Sequence, residues 1–316
     1  MRRPIVTHCT RRSLTVTAFL VGLVLLGWTP AVQAGEPIPV VVTIPVLKEL
    51  TERIGGPLVH VTSLMTGLES EHTYSPKPSD LVAVRKAKLL VEVGLGLEIW
   101  VASLVKNAGS PGLTVVTTSK GVPVIHDAPE NAHSATHAGS DHPHQAGNPH
   151  IWLDPANMQL MAGQITDALV KVDPAHAAQF QTNRTVYAQE LDRVQAELLD
   201  RLTRVTDRRL IVHHPAWPYF AQRFGLQIVD TIVLQSGAEP SAHRLHGLIK
   251  RIRREGIRVI VSEPQLNQKI PQTLARETGA TLIVLTPLPG ALPGTETYVD
   301  MLRYNVQQLA QALERG

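Results

Sequence analysis

The chain has 316 residues, of which 30 are Lys or Arg and 27 are Asp or Glu, so its formal net charge is +3 with neutral histidines. Four of the basic residues lie before residue 13, and without them 26 basic residues face 27 acidic ones. The positive excess is therefore confined to the N-terminus, and the composition predicts no nucleic-acid partner.

The N-terminus has the features of a secretory signal peptide. Four arginines precede an apolar run from Leu14 to Trp28, and Val32-Gln33-Ala34 is typical of a cleavage site. We expect residues 1–34 to be removed and the rest of the chain to be exported. The pair Arg11-Arg12 also fits a twin-arginine signal, so both export routes stay open. The single cysteine, Cys9, lies in this leader.

Short runs of β-branched and aliphatic residues alternate with helical patterns along the rest of the chain. The runs are 40–44, 59–65, 89–93 and 114–117, followed after a long central segment by 209–213, 227–233, 259–262 and 281–285. This alternation predicts an α/β fold with parallel sheets, arranged as two similar lobes.

The central segment has the pattern of one long helix. Asp173-Pro174 is typical of a helix start, with Asp173 as the cap and Pro174 in the first turn, and no Gly or further Pro occurs from Ala175 to Val205. Apolar residues recur there at helical spacing, which predicts a linking helix of about 30 residues. Two shorter helices with a break near Asn183 are the alternative. The predicted segments are a leader 1–34, a lobe 35–172, a linking helix 173–205 and a lobe 206–316.

Histidines are concentrated in one part of the chain. Residues 124–147 lack apolar periodicity and are predicted to form a loop. Neutral imidazole is a good ligand for zinc, copper and nickel, which favours metal binding here. Ordering such a loop around a metal costs entropy, so we expect its histidines to be auxiliary, exchangeable metal contacts. They are His126, His133, His137, His142 and His144.

Three other histidines stand in better-defined places. His150 ends the loop and precedes the apolar pair Ile151-Trp152, while His72 and His214 each come where a predicted strand gives way to a loop. Ligands of open α/β sheets bind at such strand ends. Each histidine alone is more typical of a hydrogen-bonded structural role than of a metal ligand, but the three together with the loop favour a metal site.

Several segments, taken in order, resemble the zinc-uptake branch of the metal-binding receptors of ABC transporters. They are SEHTYSPKPSD, NPHIWLDP, HHPAWPYFAQRFGL, QSGAEPSAHRLHGLIKRIRREGIRVIVSEPQ and TYVDMLRYNVQQLAQAL, and the match runs from about Val40 to the C-terminus. The resemblance implies two α/β lobes joined by a long rigid helix, with one metal in the cleft between the lobes. It also implies a monomeric periplasmic receptor, not an enzyme, that delivers Zn²⁺ as its transported ligand to an ABC transporter membrane permease.

The resemblance further implies that His72, His150 and His214 are metal ligands. At the fourth position, many relatives have an aspartate where this chain has Thr286, a poor zinc ligand. Glu71 or a water molecule is then the fourth ligand, and Glu263 is expected to have an ordinary polar or salt-bridging role.

Three other functions share these residues. Three imidazoles favour zinc over manganese, but a manganese-binding receptor of the same family is an alternative. A secreted zinc-dependent hydrolase is another, because three protein ligands plus water also make a catalytic site. The sequence has no H-E-x-x-H or G-x-S-x-G motif, and Glu71 is its one candidate base. A periplasmic zinc buffer or surface adhesin is the third alternative.

Overall fold

The first of two parallel sheets lies in the N-terminal half of this computed structural model, which describes residue 1 and residues 36–126, 147–234 and 239–314. Its strands have the order β2-β1-β3-β4. The inner strands β1 and β3 consist mainly of buried valine and leucine, as expected for parallel strands covered on both faces. The elements are β1 (Ile38–Val42), α1 (Pro45–Gly55), β2 (Val59–Ser63), α2 (Pro78–Lys86), β3 (Leu89–Glu92), α3 (Val101–Ala108) and β4 (Thr114–Thr117).

The second sheet repeats this topology with the strand order β6-β5-β7-β8, and it is also entirely parallel. Its elements are β5 (Arg209–Val212), α6 (Pro218–Phe224), β6 (Gln227–Thr231), α7 (Ala242–Glu255), β7 (Val259–Ser262), α8 (Lys269–Thr278), β8 (Thr281–Val284) and α9 (Tyr298–Glu314). The prediction of two similar α/β halves with parallel sheets is therefore confirmed.

All eight predicted strands are present, and the differences are at their ends. Strand β1 begins at Ile38, two residues before the predicted start, and β5 ends at Val212, one residue before the predicted end. Buried residues continue past the strand ends, and His213 and His214 are examples after β5. Burial alone therefore does not mark where a strand stops.

Two helices connect the halves: α4 (Pro155–Val172) and α5 (Ala177–Arg201). Helix α5 has 25 residues, which makes it shorter than predicted and roughly 38 Å long. It runs without a break through Asn183, whose side-chain amide donates to Ile54 O at 2.8 Å, so the alternative of two shorter helices is wrong.

The start of this helix also differs from the prediction. A single 3-10 turn at Pro174–His176 precedes α5. The Asp173 carboxylate lies 2.6 Å from His176 Nδ1 and caps no backbone amide, so the predicted capping role of Asp173 is wrong. The carboxylate of Asp173 therefore pairs with the side chain of His176, three residues later in the chain, and not with a backbone amide of the helix.

Helix α5 buries one stripe of apolar side chains against elements of both halves. It packs on α1 and α4 on one side and on α9 on the other. One hydrophobic cluster includes inner residues of both sheets and of this helix. The buried stripe consists of Phe180, Tyr187, Leu191, Val194 and Leu198. The long central helix is thus part of a core that the halves share, while the predicted segment boundaries stay predictions.

Regions outside the described ranges include the predicted leader and four of the predicted loop ligands, His133, His137, His142 and His144. Within the described ranges, no helix has the length and apolar character that crossing a membrane requires.

A short turn after His150 fastens this part of the chain to the second half. Ile151–Leu153 form a 3-10 turn whose three side chains are fully buried. Trp152 Nε1 donates to Pro287 O at 2.7 Å, and the Tyr298 hydroxyl donates to Trp152 O at 2.6 Å. Because a buried polar group must find a partner, these two bonds fix where the turn lies.

Replacing Trp152 with Ala should lower the free energy of unfolding by about 3–5 kcal/mol, because the change leaves a cavity and an unpaired Pro287 carbonyl. Urea unfolding measures this loss. The matched control is Leu160→Ala on the exposed part of α4, which should change stability by less than about 0.5 kcal/mol. Equal stabilities of the two variants would contradict the structural role of Trp152.

Candidate metal centre

Four side chains that carry metal-binding atoms converge between the two sheets: Glu71, His72, His150 and His214. Glu71 and His72 lie in the loop after β2, and His214 follows β5 by two residues. Parallel strands of one sheet end at the same edge, so the loops that follow them meet there. One ligand atom from each of the four residues lies within 4.8 Å of the other three.

The distances between these atoms match a small tetrahedral site. His150 Nε2 lies 3.1 Å from His72 Nε2 and 3.4 Å from His214 Nε2. Glu71 Oε1 lies 3.3 Å from His150 Nε2, 3.9 Å from His72 Nε2 and 4.0 Å from His214 Nε2. Tetrahedral zinc with bonds of about 2.0–2.1 Å separates neighbouring ligand atoms by about 3.3–3.4 Å. Five of the six separations lie between 3.1 and 4.0 Å and the sixth, between His72 and His214, is at most 4.8 Å, so the four atoms need to approach one another only slightly to hold such an ion.

Burial differs among the four residues. Glu71 and His214 are each 3% exposed and His150 is 1% exposed. The His72 side chain is 21% exposed. Water therefore reaches the cluster on the side where His72 lies.

The ring of His150 is held in one tautomer. Its Nδ1 lies 2.9 Å from Asn148 Oδ1, which also accepts from the His150 backbone N–H at 3.1 Å. Because the amide oxygen only accepts, Nδ1 carries the proton and Nε2 points its lone pair at the cluster. Burial, with a smaller contribution from His214, holds the pKa of His150 well below its ordinary value. His150 is thus a neutral imidazole, the form that binds a metal.

The ring of His214 is oriented by a carboxylate. Its Nδ1 lies 2.7 Å from Glu263 Oε1, which also accepts from Trp217 Nε1 at 3.1 Å. Burial lowers the pKa of His214, but the charge and hydrogen bond of Glu263 and the charge of Glu71 together outweigh it, so the pKa is raised. Histidine ligands commonly donate their second ring N–H to a carboxylate in this way. Glu263 thus contacts the ring of His214 from outside the four-residue cluster.

His213, the neighbour of His214, is directed elsewhere. Its Nδ1 lies 3.4 Å from Ser262 Oγ, and it is not part of the four-residue cluster. Burial, more than the charge of His214, lowers its pKa against the opposing effect of Glu263. Of the adjacent pair, His214 is the one whose Nε2 faces the other candidate ligands.

Glu71 contributes an atom that lacks a partner. Its Oε1 is buried, and no described residue donates a hydrogen bond to it. An unpaired carboxylate oxygen away from water is costly, and a cation in the cluster removes that cost. The donor set of three imidazole nitrogens and one carboxylate oxygen fits such an ion.

Thr286 is used within its own turn. Its hydroxyl donates to Leu288 O at 2.7 Å, and its backbone N–H donates to Asn305 Oδ1 at 3.0 Å. This turn packs closely against the loop that carries Glu71, because a Cβ at Gly67 would lie 2.9 Å from Pro289 O. Gly67 has a φ of 96°, a conformation that favours glycine. Glu71, and not Thr286, is a member of the cluster.

The structure brings together four of the nine residues that the sequence identified as candidates. His126 is exposed and outside the cluster, and the other four loop histidines lie outside the described residues. Sequence reasoning missed Asn148, which orients His150. A carboxamide two residues before a candidate ligand, in the segment NPHIWLDP, was the available signal.

Three imidazoles and one buried carboxylate, between two parallel sheets of the same topology, define a metal-binding α/β protein. The sequence profile of the family described as "Zinc-uptake complex component A periplasmic" matches residues 40–312. The chain belongs to this family, a family of periplasmic metal-binding receptors, as its sequence motifs indicated.

Individual relatives agree with this assignment. The chain is 30% identical to the high-affinity zinc uptake system protein ZnuA of Brucella suis, over 94% of this chain and 98% of that protein. The zinc-bound crystal structure of a ZnuA deletion mutant is 29% identical, with a TM-score of 0.75 over 88% of this chain and 98% of that one. The chain also resembles the structure of the Mn-bound periplasmic metal-binding protein of Candidatus Liberibacter asiaticus. The two are 23% identical, with a TM-score of 0.73 over 88% of this chain and 100% of that one. This last likeness shows the fold alone.

Replacing Glu263 with Gln should lower the pKa of His214 in the metal-free protein. The carboxylate stabilises the protonated ring, so without its charge the opposing effect of burial prevails. An NMR titration of the histidine side chains measures the shift. The control is Glu255→Gln, at a partly exposed glutamate paired with Arg251 and Arg254, which should leave the His214 titration unchanged. An unchanged pKa in the Glu263 variant would contradict the electrostatic role of this residue.

Proposed function

We propose that this chain is a high-affinity zinc receptor of the periplasm that delivers zinc to the membrane permease of an ABC transporter. Its ligands are His72, His150, His214 and Glu71. One observation carries the proposal: a ligand atom from each of three imidazoles and one unpaired carboxylate oxygen lie within 4.8 Å of one another, and three of the four residues are buried.

The donor set supports zinc over manganese. Zinc is stable with four nitrogen and oxygen ligands, whereas manganese prefers carboxylate, carbonyl and water oxygens in octahedral geometry. Three of the four ligands here are almost fully buried, which leaves little room for the water molecules that would complete an octahedron. The zinc name of the Brucella suis relative supports the same choice.

A proton and the metal compete for Nε2 of His214. Zinc needs the lone pair of His214 Nε2, while the Nδ1–H group keeps its hydrogen bond to Glu263. Because the pKa of His214 is raised, protons compete with zinc at this ring at higher pH than for an ordinary histidine. Zinc affinity therefore falls as the pH drops through this raised pKa, and His150, with its lowered pKa, contributes less to that fall.

The remaining expectations complete the proposal. The chain is a monomer without enzymatic activity, and its predicted leader is removed on export. The long helix and the shared core limit the two lobes to small movements, so loading mainly orders the loops near His72 and His214. The loop histidines from His126 to His144 collect metal weakly and do not form the tight site.

Competition between metals tests the choice of zinc. With equal total concentrations of zinc and manganese, the purified chain should retain zinc, because manganese gains little from three nitrogen ligands. Metal analysis after removal of free ions measures the ratio. Manganese retained in place of zinc would establish the other receptor of this family and refute the zinc assignment.

Two altered chains separate the tight site from the loop. The variant His214→Ala should lose high-affinity zinc binding in a titration against a chelator. It should also fail to restore the growth of a deletion strain in zinc-limited medium. The matched control lacks residues 133–144; it should bind fewer zinc ions in total yet keep the tight site and restore growth.

These variants, the growth of the deletion strain and an assay for hydrolysis distinguish the proposed function from its alternatives. Unchanged affinity of His214→Ala would remove that residue from the ligand set. Normal zinc-limited growth of the deletion strain would show a zinc buffer or adhesin instead of an uptake receptor. Hydrolysis of esters or peptides by the zinc-loaded chain would establish the catalytic alternative.

A further inference from the structure

The buried side chain of Asn148 forms hydrogen bonds with His150 and with Pro215, the residue after His214. It is 2% exposed and precedes His150 by two residues. Its Oδ1 accepts from the ring and the backbone N–H of His150, and its Nδ2 donates to Pro215 O at 2.6 Å. Pro215 directly follows His214. A single carboxamide thus joins one candidate ligand to the chain segment that carries another.

The two ends of this carboxamide are not interchangeable. In the observed orientation, the oxygen faces two N–H donors and the NH₂ group faces a carbonyl oxygen. The reversed orientation would place NH₂ against N–H and carbonyl against carbonyl, and would leave buried groups unpaired. The Pro215 carbonyl therefore fixes the direction of the amide, and the amide fixes the tautomer of His150.

The backbone of Asn148 is held as firmly as its side chain. The Tyr219 hydroxyl, on α6, donates to Asn148 O at 2.9 Å and accepts from Ile125 N–H at 2.9 Å. Asn148 N–H donates to Ile125 O at 2.8 Å. Tyr219 thus connects both chain segments that flank residues 127–146 to the second half of the molecule.

We propose that Asn148 is a positioning residue that keeps His150 Nε2 directed at the metal and sets the distance between His150 and His214. This inference rests on the proposed metal-binding function. Ligands held at short, fixed separations favour a small four-coordinate ion over a larger six-coordinate one. Asn148 accordingly contributes to the preference for zinc over manganese without touching the metal.

Two substitutions test the contact of Asn148 with His150 and its contact with Pro215. Asn148→Ala removes both the acceptor for His150 and the donor to Pro215. Asn148→Asp keeps an acceptor for His150 but replaces the donor with an oxygen that faces the Pro215 carbonyl. The control is Asn183→Ala, which also deletes an amide bond to a backbone carbonyl, between α5 and α1.

The experiment measures zinc affinity by chelator competition, the zinc-to-manganese preference by competition between the two metals, and the visible absorption of the Co²⁺-loaded protein, whose intensity reports four-coordinate geometry. We expect both Asn148 variants to bind zinc about tenfold to a hundredfold more weakly, the size of effect typical of groups that orient metal ligands. The zinc-to-manganese preference should narrow and the Co²⁺ bands should weaken. Asn183→Ala should match the unaltered protein in all three measurements.

The outcomes separate this inference from the proposed function. Absence of tight zinc binding in the unaltered protein would refute the proposed function itself. If that protein binds zinc tightly and His214→Ala does not, but Asn148→Asp behaves as the unaltered protein, the connection to Pro215 has no role and the inference is overturned. If Asn148→Ala fails to fold, Asn148→Asp and Tyr219→Phe decide the question. Tyr219→Phe removes only the hydroxyl that holds the Asn148 backbone, and it should weaken zinc binding in the same direction.

Discussion

A buried negative charge without a hydrogen-bond donor is the constraint on which the metal centre depends. Among the described residues nothing donates to Glu71 Oε1, and its nearest neighbours in the cluster are imidazole nitrogens. Removing a carboxylate from water costs several kcal/mol, and a neutral ring with its lone pair turned inward repays little of that cost. The arrangement becomes favourable when a divalent cation lies among the four ligands. The surrounding structure must therefore hold the neutral ring of His150 close to this carboxylate until a cation binds.

The surrounding structure supplies this restraint at the second ring nitrogen of two histidines. Asn148 orients His150 and Glu263 orients His214, and both partners are themselves buried. Burial lowers the pKa of both rings, but at His214 the charge and hydrogen bond of Glu263 and the charge of Glu71 outweigh it, so the pKa of His150 is lowered and that of His214 is raised. Protons therefore compete with a metal at His214 at higher pH than they do at His150. The amount of metal that the protein binds therefore depends on pH.

Much of the fold and part of the site could be predicted from the sequence, for physical reasons. Fully buried parallel strands appear as aliphatic runs, and all eight were found; the stripe from Phe180 to Leu198 indicated the long helix. Histidines next to apolar turns and strand ends marked the cluster. The Asp173 cap was wrong because a nearby imidazole competes for the carboxylate, a contact that spacing does not reveal. The link from Asn148 to Pro215 joins residues 67 positions apart, so only the folded chain shows it.

The most direct test of this account is a crystal structure of the zinc-loaded protein, with the metal identified by anomalous scattering at the zinc absorption edge. We predict one zinc ion bound by the Nε2 atoms of His72, His150 and His214 and by Glu71 Oε1, at about 2.0–2.2 Å from each. A zinc ion in this cleft with water or Thr286 in the place of Glu71, or zinc bound only by histidines of the loop, would contradict the central claim.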